Sequence, residues 1–330
     1  MIEHLVGMQA QNPNDPYFGL WARMHDFGAE DLSALIGGGR AVRGQLMRGT
    51  LHLVTAADHR RLRPLFDALC SRILGSTQFG KDTKSIDRDR LLASSRSLLA
   101  RQPMSRADLG TALAEEFPGV PPGSLAQTAT YLLPVIQAPP RGQWGQAGSP
   151  RWTVADHDDP DDDELNRRKD DLFLRYLRSF GPASLADVRA WSGLTGLGAV
   201  TERLRPRLRY FTDEKGTTLL DVEDGVIVDP ECPAPPRLLP EYDNVLLGHA
   251  DRSRFFHDMG PFPPGWVGNV LIDGFYAGHW RLDPRSRDVE VTVQRPVGVE
   301  ERTELAVETE RLLARVGSPG KRGSPILKGW

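Results

Sequence analysis

Two glutamines flank one small residue near the start of the chain, Gln9-Ala10-Gln11 within HLVGMQAQNPNDPYFGLW. A carboxamide has an acceptor oxygen, two N–H donors and no charge. Two of them, two residues apart, can converge on one water molecule if the backbone turns there. Their oxygens would orient its protons, and their donors would steady nearby oxygens. Glutamine is not a useful base at neutral pH, so such a pair does chemistry only where the leaving group is already activated. A cationic N7-alkylated guanine meets that condition. Its glycosidic bond is weakened, and its loss leaves an oxocarbenium-like sugar that a placed water can meet through positioning and electrostatic complementarity. The tripeptide alone favours the plainer reading, two amides that satisfy local backbone groups or face solvent.

No other familiar catalytic pattern is present. There is no Gly-rich phosphate loop opening a helix, no GxSxG, no HExxH and no EF-hand loop. Gly37-Gly38-Gly39 follows a helical pattern and reads as its C-terminal cap and loop. The eight histidines lack metal spacing, so neither a metal nor a cofactor is expected. Cys70 and Cys232 are the only cysteines and lie far apart, which argues against a disulfide framework or a thiolate zinc site and fits a reducing cytoplasm. No run of about 18 apolar residues exists to span a membrane. The start MIEHLVGM has neither the basic region nor the cleavage site of a signal peptide, so a cytoplasmic protein is expected.

The elements that must carry the pair are those of an ordinary globular chain. Its 330 residues suggest two or three domains, and 39% hydrophobic with 26% charged residues supports a real core. The net charge of −3 hides an uneven distribution. Only six of the 41 basic residues are lysines; the rest are arginine, the better phosphate and base ligand, though GC-rich codon usage produces the same bias. Acid is concentrated in DHDDPDDDELN (156–166), which reads as a solvated linker. Nucleic-acid binding is therefore left open by charge.

On either side of that linker one plan occurs twice: a helix, a capped short helix, a third helix, then two strands. Pro103, Ser105, Ala107 and Asp108 match Pro182, Ser184, Ala186 and Asp187 at an offset of 79 residues, with each serine placed as an N-cap and each acid at the capping-box position. This order is that of a winged helix, a helix-turn-helix variant. The boundaries are 1–85 for a first, less regular module carrying the Gln-x-Gln stretch, 86–157 and 163–225 for two winged helices, and 226–330 for a β-rich end with a terminal helix. In the first module AVRGQLMRGTLHLVT reads as two strands around Arg48-Gly49-Thr50, and AADHRRLRPLFDALCSRIL as one amphipathic helix. In the last, Asp273-Gly274 marks a hairpin turn, ERTELAVETERLLARVG a helix, and SPGKRGSPILKGW a tail without structure. The expected fold class is α+β.

HLVGMQAQNPNDPYFGLWARM followed by LMRGTLHLV resembles the AlkZ-like (YcaQ-like) bacterial DNA glycosylases, and LLPEYDNVLLGHADRSRF and IDGFYAGHWRL resemble that family's C-terminal blocks. The resemblance implies three tandem winged-helix units, the first of them the 1–85 module, and a β-rich end around a concave cleft for double-stranded DNA. It implies a monofunctional hydrolase of base excision repair that removes N-alkylated purines without metal or cofactor, as a monomer, and Gln9 and Gln11 match its Gln-apolar-Gln catalytic motif. Some members unhook interstrand crosslinks or remove bulky natural-product adducts, a self-resistance activity. Many relatives have Asp at the second motif position; Gln11 places this chain with the Gln/Gln type. Members usually carry a helical segment before the block that starts here at Ile2, so the chain looks short at its N-terminus.

Other residues match family blocks. Arg48, Thr50 and His52 are expected to support the motif or touch DNA, with plain strand packing an open alternative. Asp243, Asn244 and Arg252 match a C-terminal block, where a turn-stabilising role is expected and Arg252 is a candidate DNA contact. Trp280 is expected to be a core residue or to support the hairpin. The alternative function is a non-catalytic winged-helix DNA-binding protein, either a regulator or a damage-binding resistance protein.

Overall fold

A left-handed turn, not a long loop, delivers the Gln stretch to its sheet. Val6 and Gly7 have φ of +53° and +96°, and a Cβ on Gly7 would lie 2.5 Å from the Val54 side chain, so the chain can turn there only with glycine. The computed structural model describes residues 1–256, 268–283, 285–316 and 323–329. After the turn, strand β1 (Met8–Gln9) leads into helix α1 (Asp15–Trp21), which starts with Pro16 in its first turn, and α2 (Ala29–Gly37) follows. Strands β2 (Ala41–Gln45) and β3 (Leu51–Thr55) pair antiparallel about Arg48-Gly49-Thr50, as expected, with Gly44 opposite His52. The single amphipathic helix expected next is broken. It runs as α3 (Ala56–Leu62), a 3-10 turn Arg63–Phe66, and α4 (Asp67–Gly75), because Pro64 cannot donate to the preceding turn. Helix α5 (Gln78–Asp82) closes the segment.

Helices α6 (Arg88–Arg101), α7 (Arg106–Ala114) and α8 (Pro122–Leu132) are followed by β4 (Val135–Gln137) and β5 (Trp152–Val154). The second set is α9 (Asp162–Phe180), α10 (Leu185–Ser192) and α11 (Leu197–Leu204), then β6 (Leu208–Thr212) and β7 (Thr218–Val222). Both short helices have the expected serine cap: Ser105 Oγ accepts from Asp108 N at 3.1 Å and Ser184 Oγ from Asp187 N at 3.2 Å. Only α10 completes the capping box, with Ser184 N donating to Asp187 Oδ2 at 2.8 Å, while Asp108 accepts from the Ser105 hydroxyl instead. The two strand pairs differ. β6 and β7 form a sheet of their own, whereas β4 pairs with β2, giving one five-stranded sheet in the order β1-β3-β2-β4-β5 that crosses residue 85. The acidic run is only partly a linker. Asp161 caps α9, three further acids sit in the first turn of that helix where its dipole favours negative charge, and Asp158 pairs with Arg60 and Arg168.

The C-terminal part is a second sheet, order β12-β11-β10-β9-β8: β8 (Arg237–Leu239), β9 (Gly268–Ile272), β10 (Phe275–Leu282), β11 (Val289–Val293) and β12 (Pro325–Lys328). Asp273 and Gly274, both at positive φ, make the β9–β10 turn. A short helix α12 (Asn244–Leu247) follows β8, and α13 (Val299–Val316) is the terminal helix. The expected structureless tail is corrected at 325–328, where β12 pairs in parallel with β11, Val291 opposite Leu327; the apolar pair Ile326-Leu327 suits an edge strand, and 318–322 and 330 lie outside the described residues.

Core packing sets what holds the Gln stretch. One apolar cluster joins Met8, Ala10, Phe18 and Trp21 to Val270, Trp280 and Leu312 of the C-terminal part. A second joins Val6, Met47 and Phe66 to Leu172, Tyr176 and Trp191. A third is internal to α6–α8 with β4 and β5. The first 85 residues are thus divided mainly between the first two cores, with Leu51 packed against the third and Ala22 joined to Leu239, Leu271 and Tyr276 in a small fourth.

Candidate active site

The backbone of Gln9-Ala10-Gln11 is tied on both edges. Gln9 pairs with His52 across the β1–β3 ladder, and Ala10 N donates to Leu51 O at 2.8 Å. From the other side the Arg43 guanidinium, 2% exposed, donates to Ala10 O at 2.6 Å and to Gln137 Oε1 at 2.5 Å. The C-terminal part holds the approach: Asn244 Nδ2 donates to Gly7 O at 2.8 Å. Asn244 is itself set by Asp243, which caps α12 at Val245 N and forms a bidentate ion pair with Arg23 at 2.6 and 2.9 Å. Asp243 and Asn244 therefore do what a turn-stabilising block should, and through them the C-terminal part reaches the motif. Trp280 fills the role expected of it, donating to Leu239 O at 2.8 Å and meeting Phe18 edge-on.

Each glutamine side chain is anchored through its oxygen. Arg48 Nη2 donates to Gln9 Oε1 at 2.6 Å. Arginine only donates, so the carboxamide oxygen is identified and the Gln9 amino group points elsewhere. Leu51 N donates to Gln11 Oε1 at 3.0 Å, fixing that amide in the same sense. A carbonyl oxygen has two lone pairs, so each amide keeps one acceptor site and two donors for a further partner. Gln9 is buried and Gln11 exposed. Gln9 lines a space of about 10 Å³ with Asp15, Arg23 and Asp243, the scale of one water molecule. Gln11 stands at a cavity of 560 Å³.

Arg48, Thr50 and His52 come together as one cluster behind Gln9. Arg48 has φ +55°, a conformation rare for a side-chain-bearing residue, in the tight turn between β2 and β3. This turn sends its guanidinium to Gln9 and to the carbonyl of Trp191 at the end of α10. His52 Nε2 lies 3.4 Å from Arg48 Nη2 and His52 Nδ1 3.0 Å from Thr50 O, so the network assigns the proton to Nδ1. Burial first, and the Arg48 charge second, hold the His52 imidazole down to about 3, so it is neutral and cannot serve as an acid at neutral pH. Burial and the neighbouring Arg252 charge bring Arg48 down to about 10, which leaves it charged. Arg252 itself is exposed, in the 3-10 turn Arg252–Arg254. It therefore joins the cluster by charge and makes no hydrogen bond to it.

Nothing in the sequence pattern marks Arg43, Arg23 or Asp15 as parts of this site. Asp15 is 4% exposed, and its carboxyl is pushed up to about 8 by burial and by the nearby Glu241 and Asp243 charges. The acid within Asn-Pro-Asn-Asp-Pro reads as a helix-start residue, and only its burial separates it from one. Among the described residues no group of three His, Cys, Asp or Glu side chains could hold a metal ion, and no helix is long and apolar enough to cross a membrane.

The molecule is thus a mixed helix-and-sheet protein whose site is built from carboxamides and guanidiniums on a strand edge. The chain belongs to the AlkZ-like DNA glycosylase family, whose profile, DNA glycosylase AlkZ-like, matches residues 2–315. Its fold is similar to that of the Streptomyces sahachiroi DNA glycosylase AlkZ, with a TM-score of 0.73 over 99% of this chain and 92% of that one, at 18% identity. No curated protein sequence matches the chain.

Proposed function

We propose that this glycosylase hydrolyses the N-glycosidic bond of N-alkylated purines in double-stranded DNA, of the N7-alkylguanine type, with Gln9 and Gln11 holding the hydrolytic water. The observation that carries this reading is the anchoring of both carboxamides. Arg48 and the Leu51 amide occupy one lone pair of each oxygen, so the remaining acceptor and donor sites are held in place before any substrate arrives. As the C1′–N9 bond lengthens, its electron pair moves into the cationic ring and neutralises it. The water oxygen bonds to C1′, and its surplus proton passes to solvent, leaving neutral N7-alkylguanine and an abasic site. No strong base is required, which suits a site whose histidine is neutral and whose amides do not titrate. In this reading α6–α8 and α9–α11 with β6–β7 are winged-helix units that present a concave cleft to the duplex. The enzyme works as a monomer in the cytoplasm, in base excision repair, with bulky adducts and interstrand crosslinks within its range; a crosslinked base cannot readily be extruded, so their excision would not depend on flipping into a closed pocket.

The test is incubation with duplex DNA containing N7-methylguanine, counting abasic sites. Wild type is expected to release the base, and Gln9→Ala and Gln11→Ala each to lose about two orders of magnitude, the scale of one preorganised group. No release by wild type refutes the substrate class. Equal release by all three proteins refutes the role of the pair and leaves the activity standing.

A further inference from the structure

Gln11 opens onto a second feature that the hydrolytic role does not use. The 560 Å³ cavity lies between the five-stranded sheet, the start of α7 and the Gln127–Tyr131 face of α8, and its lining contains Arg43, Arg106 and Arg141 but no aspartate or glutamate. In a chain with 44 acids against 41 basic residues, three guanidiniums without a lining carboxylate are an uncompensated charge. Arg43 is held down to about 10 by burial and by the Arg141 charge, so these two feel each other directly. The acid that faces Arg43, Asp15, is itself pushed up to about 8 and offers little counter-charge at neutral pH.

The donors are built in and partly idle. Arg43 is 2% exposed, yet its Nε and the buried Nε of Arg141 have no hydrogen-bond partner among the described residues. Arg106 lies over the Trp152 ring at 4.8 Å and donates through Nε to Thr130 Oγ1 at 3.0 Å, which fixes its plane and leaves its two Nη groups free among the described residues. Gly142 holds the 139–150 loop down onto Arg43: at φ +97°, a Cβ there would sit 2.8 Å from Arg43 Cδ. The first turn of α7 forms another wall, and with it the positive end of a helix dipole.

We infer that this cavity seats a backbone phosphodiester of the DNA strand that passes Gln11, with Arg106 and Arg141 as its ligands and Arg43 as the buried charge behind them. The volume leaves room for the attached sugar, so the seat would fix the position of the strand relative to the glutamine pair. This rests on the DNA-binding part of the proposed function and not on base excision.

The test reads binding to undamaged duplex DNA by fluorescence anisotropy across a salt series, with Arg106→Gln and Arg141→Gln as separate variants and a thermal melt to confirm folding. Arg43 is left in place because it also holds Ala10. Each variant is expected to lower the slope of log K against log salt by about 0.9, one phosphate contact. A duplex carrying a single neutral methylphosphonate, moved along the strand, is expected to weaken wild type at one position and to leave the variants unaffected there. Unchanged slopes in both folded variants, or methylphosphonate effects equal in wild type and variants, would overturn the seat. So would saturable stabilisation by inorganic phosphate that duplex DNA does not compete away, since the ligand would then be a free anion. A protein that shows the slope change but releases no base keeps the seat and loses the enzymatic reading.

Discussion

Arg48 is the residue whose loss separates an anchored carboxamide from one merely present. Its Nη2 meets Gln9 Oε1 at 2.6 Å, a charge-assisted bond worth ~1.5–3 kcal/mol. If that bond holds Gln9 in its working orientation, and each 1.36 kcal/mol is a factor of ten in rate, Arg48→Ala slows base release about 10- to 150-fold. The same change leaves Gln9 Oε1 and the Trp191 carbonyl without their donor, costing ~1–3 kcal/mol of stability for each buried acceptor. Arg48→Lys keeps the charge, but a single ammonium cannot reach both acceptors with the same fork. It is expected to recover part of the stability and little of the rate. The assay is single-turnover excision of N7-methylguanine below the melting temperature of each variant. A cycle with Gln9→Ala then distinguishes positioning from bracing, because a residue acting through Gln9 adds little once Gln9 is gone. Wild-type rates in a folded Arg48→Ala protein would refute the reasoning. A double variant showing the full product of the two single effects would refute it too.

His52 has a folded pKa pulled to about 3 from an ordinary 6.5, so its contribution to stability is whole above pH 6.5 and is lost as pH falls toward 3. Urea unfolding at a series of pH values should therefore show His52→Asn losing stability less steeply than wild type below pH 6.5, and parallel curves would count against the burial argument. Asp15 runs the other way: with its folded pKa raised to about 8 from 3.8, its cost is absent below pH 3.8 and grows as pH rises to 8. Asp15→Asn should gain a few kcal/mol over wild type at pH 8 and nothing at pH 4; an equal gain at both pH values would show a packing effect instead. Asn244→Ala removes the donor to Gly7 O and should cost ~1–3 kcal/mol by urea midpoint, with an unchanged midpoint overturning the latch.

What could be read from the chain was local. The serine caps of α7 and α10, the β2–β3 pair and the Asp273-Gly274 turn each depend on residues within a few positions of one another, and all formed where their residue types require. The break at Pro64 was equally local and equally legible, but a strong amphipathic pattern on both sides obscured it. The pairing of β4 with β2 and of β12 with β11 depends on which edges lie free after the cores close, which no local pattern states. The site divides in the same way. Gln9, Gln11, Arg48, Thr50 and His52 lie within 44 consecutive residues; the two glutamines stand out by type and spacing, the other three only by their match to a family block. Their supports come from afar: Arg23 meets Asp243 across 220 residues, and Arg48 meets Trp191 across 143.

That reach gives the Gln stretch a birth order. Gln9 leaves the ribosome before Asn244, which holds the carbonyl of Gly7 and is joined to the chain 235 residues after Gln9. At synthesis rates of about 5–20 residues per second, roughly 10–50 s separate the two events. Throughout that interval the nascent chain carries its carboxamides without the asparagine latch or the Arg23–Asp243 clasp. A polypeptide abandoned before α12 would hold both glutamines and lack the Asn244 and Asp243 contacts that set their backbone.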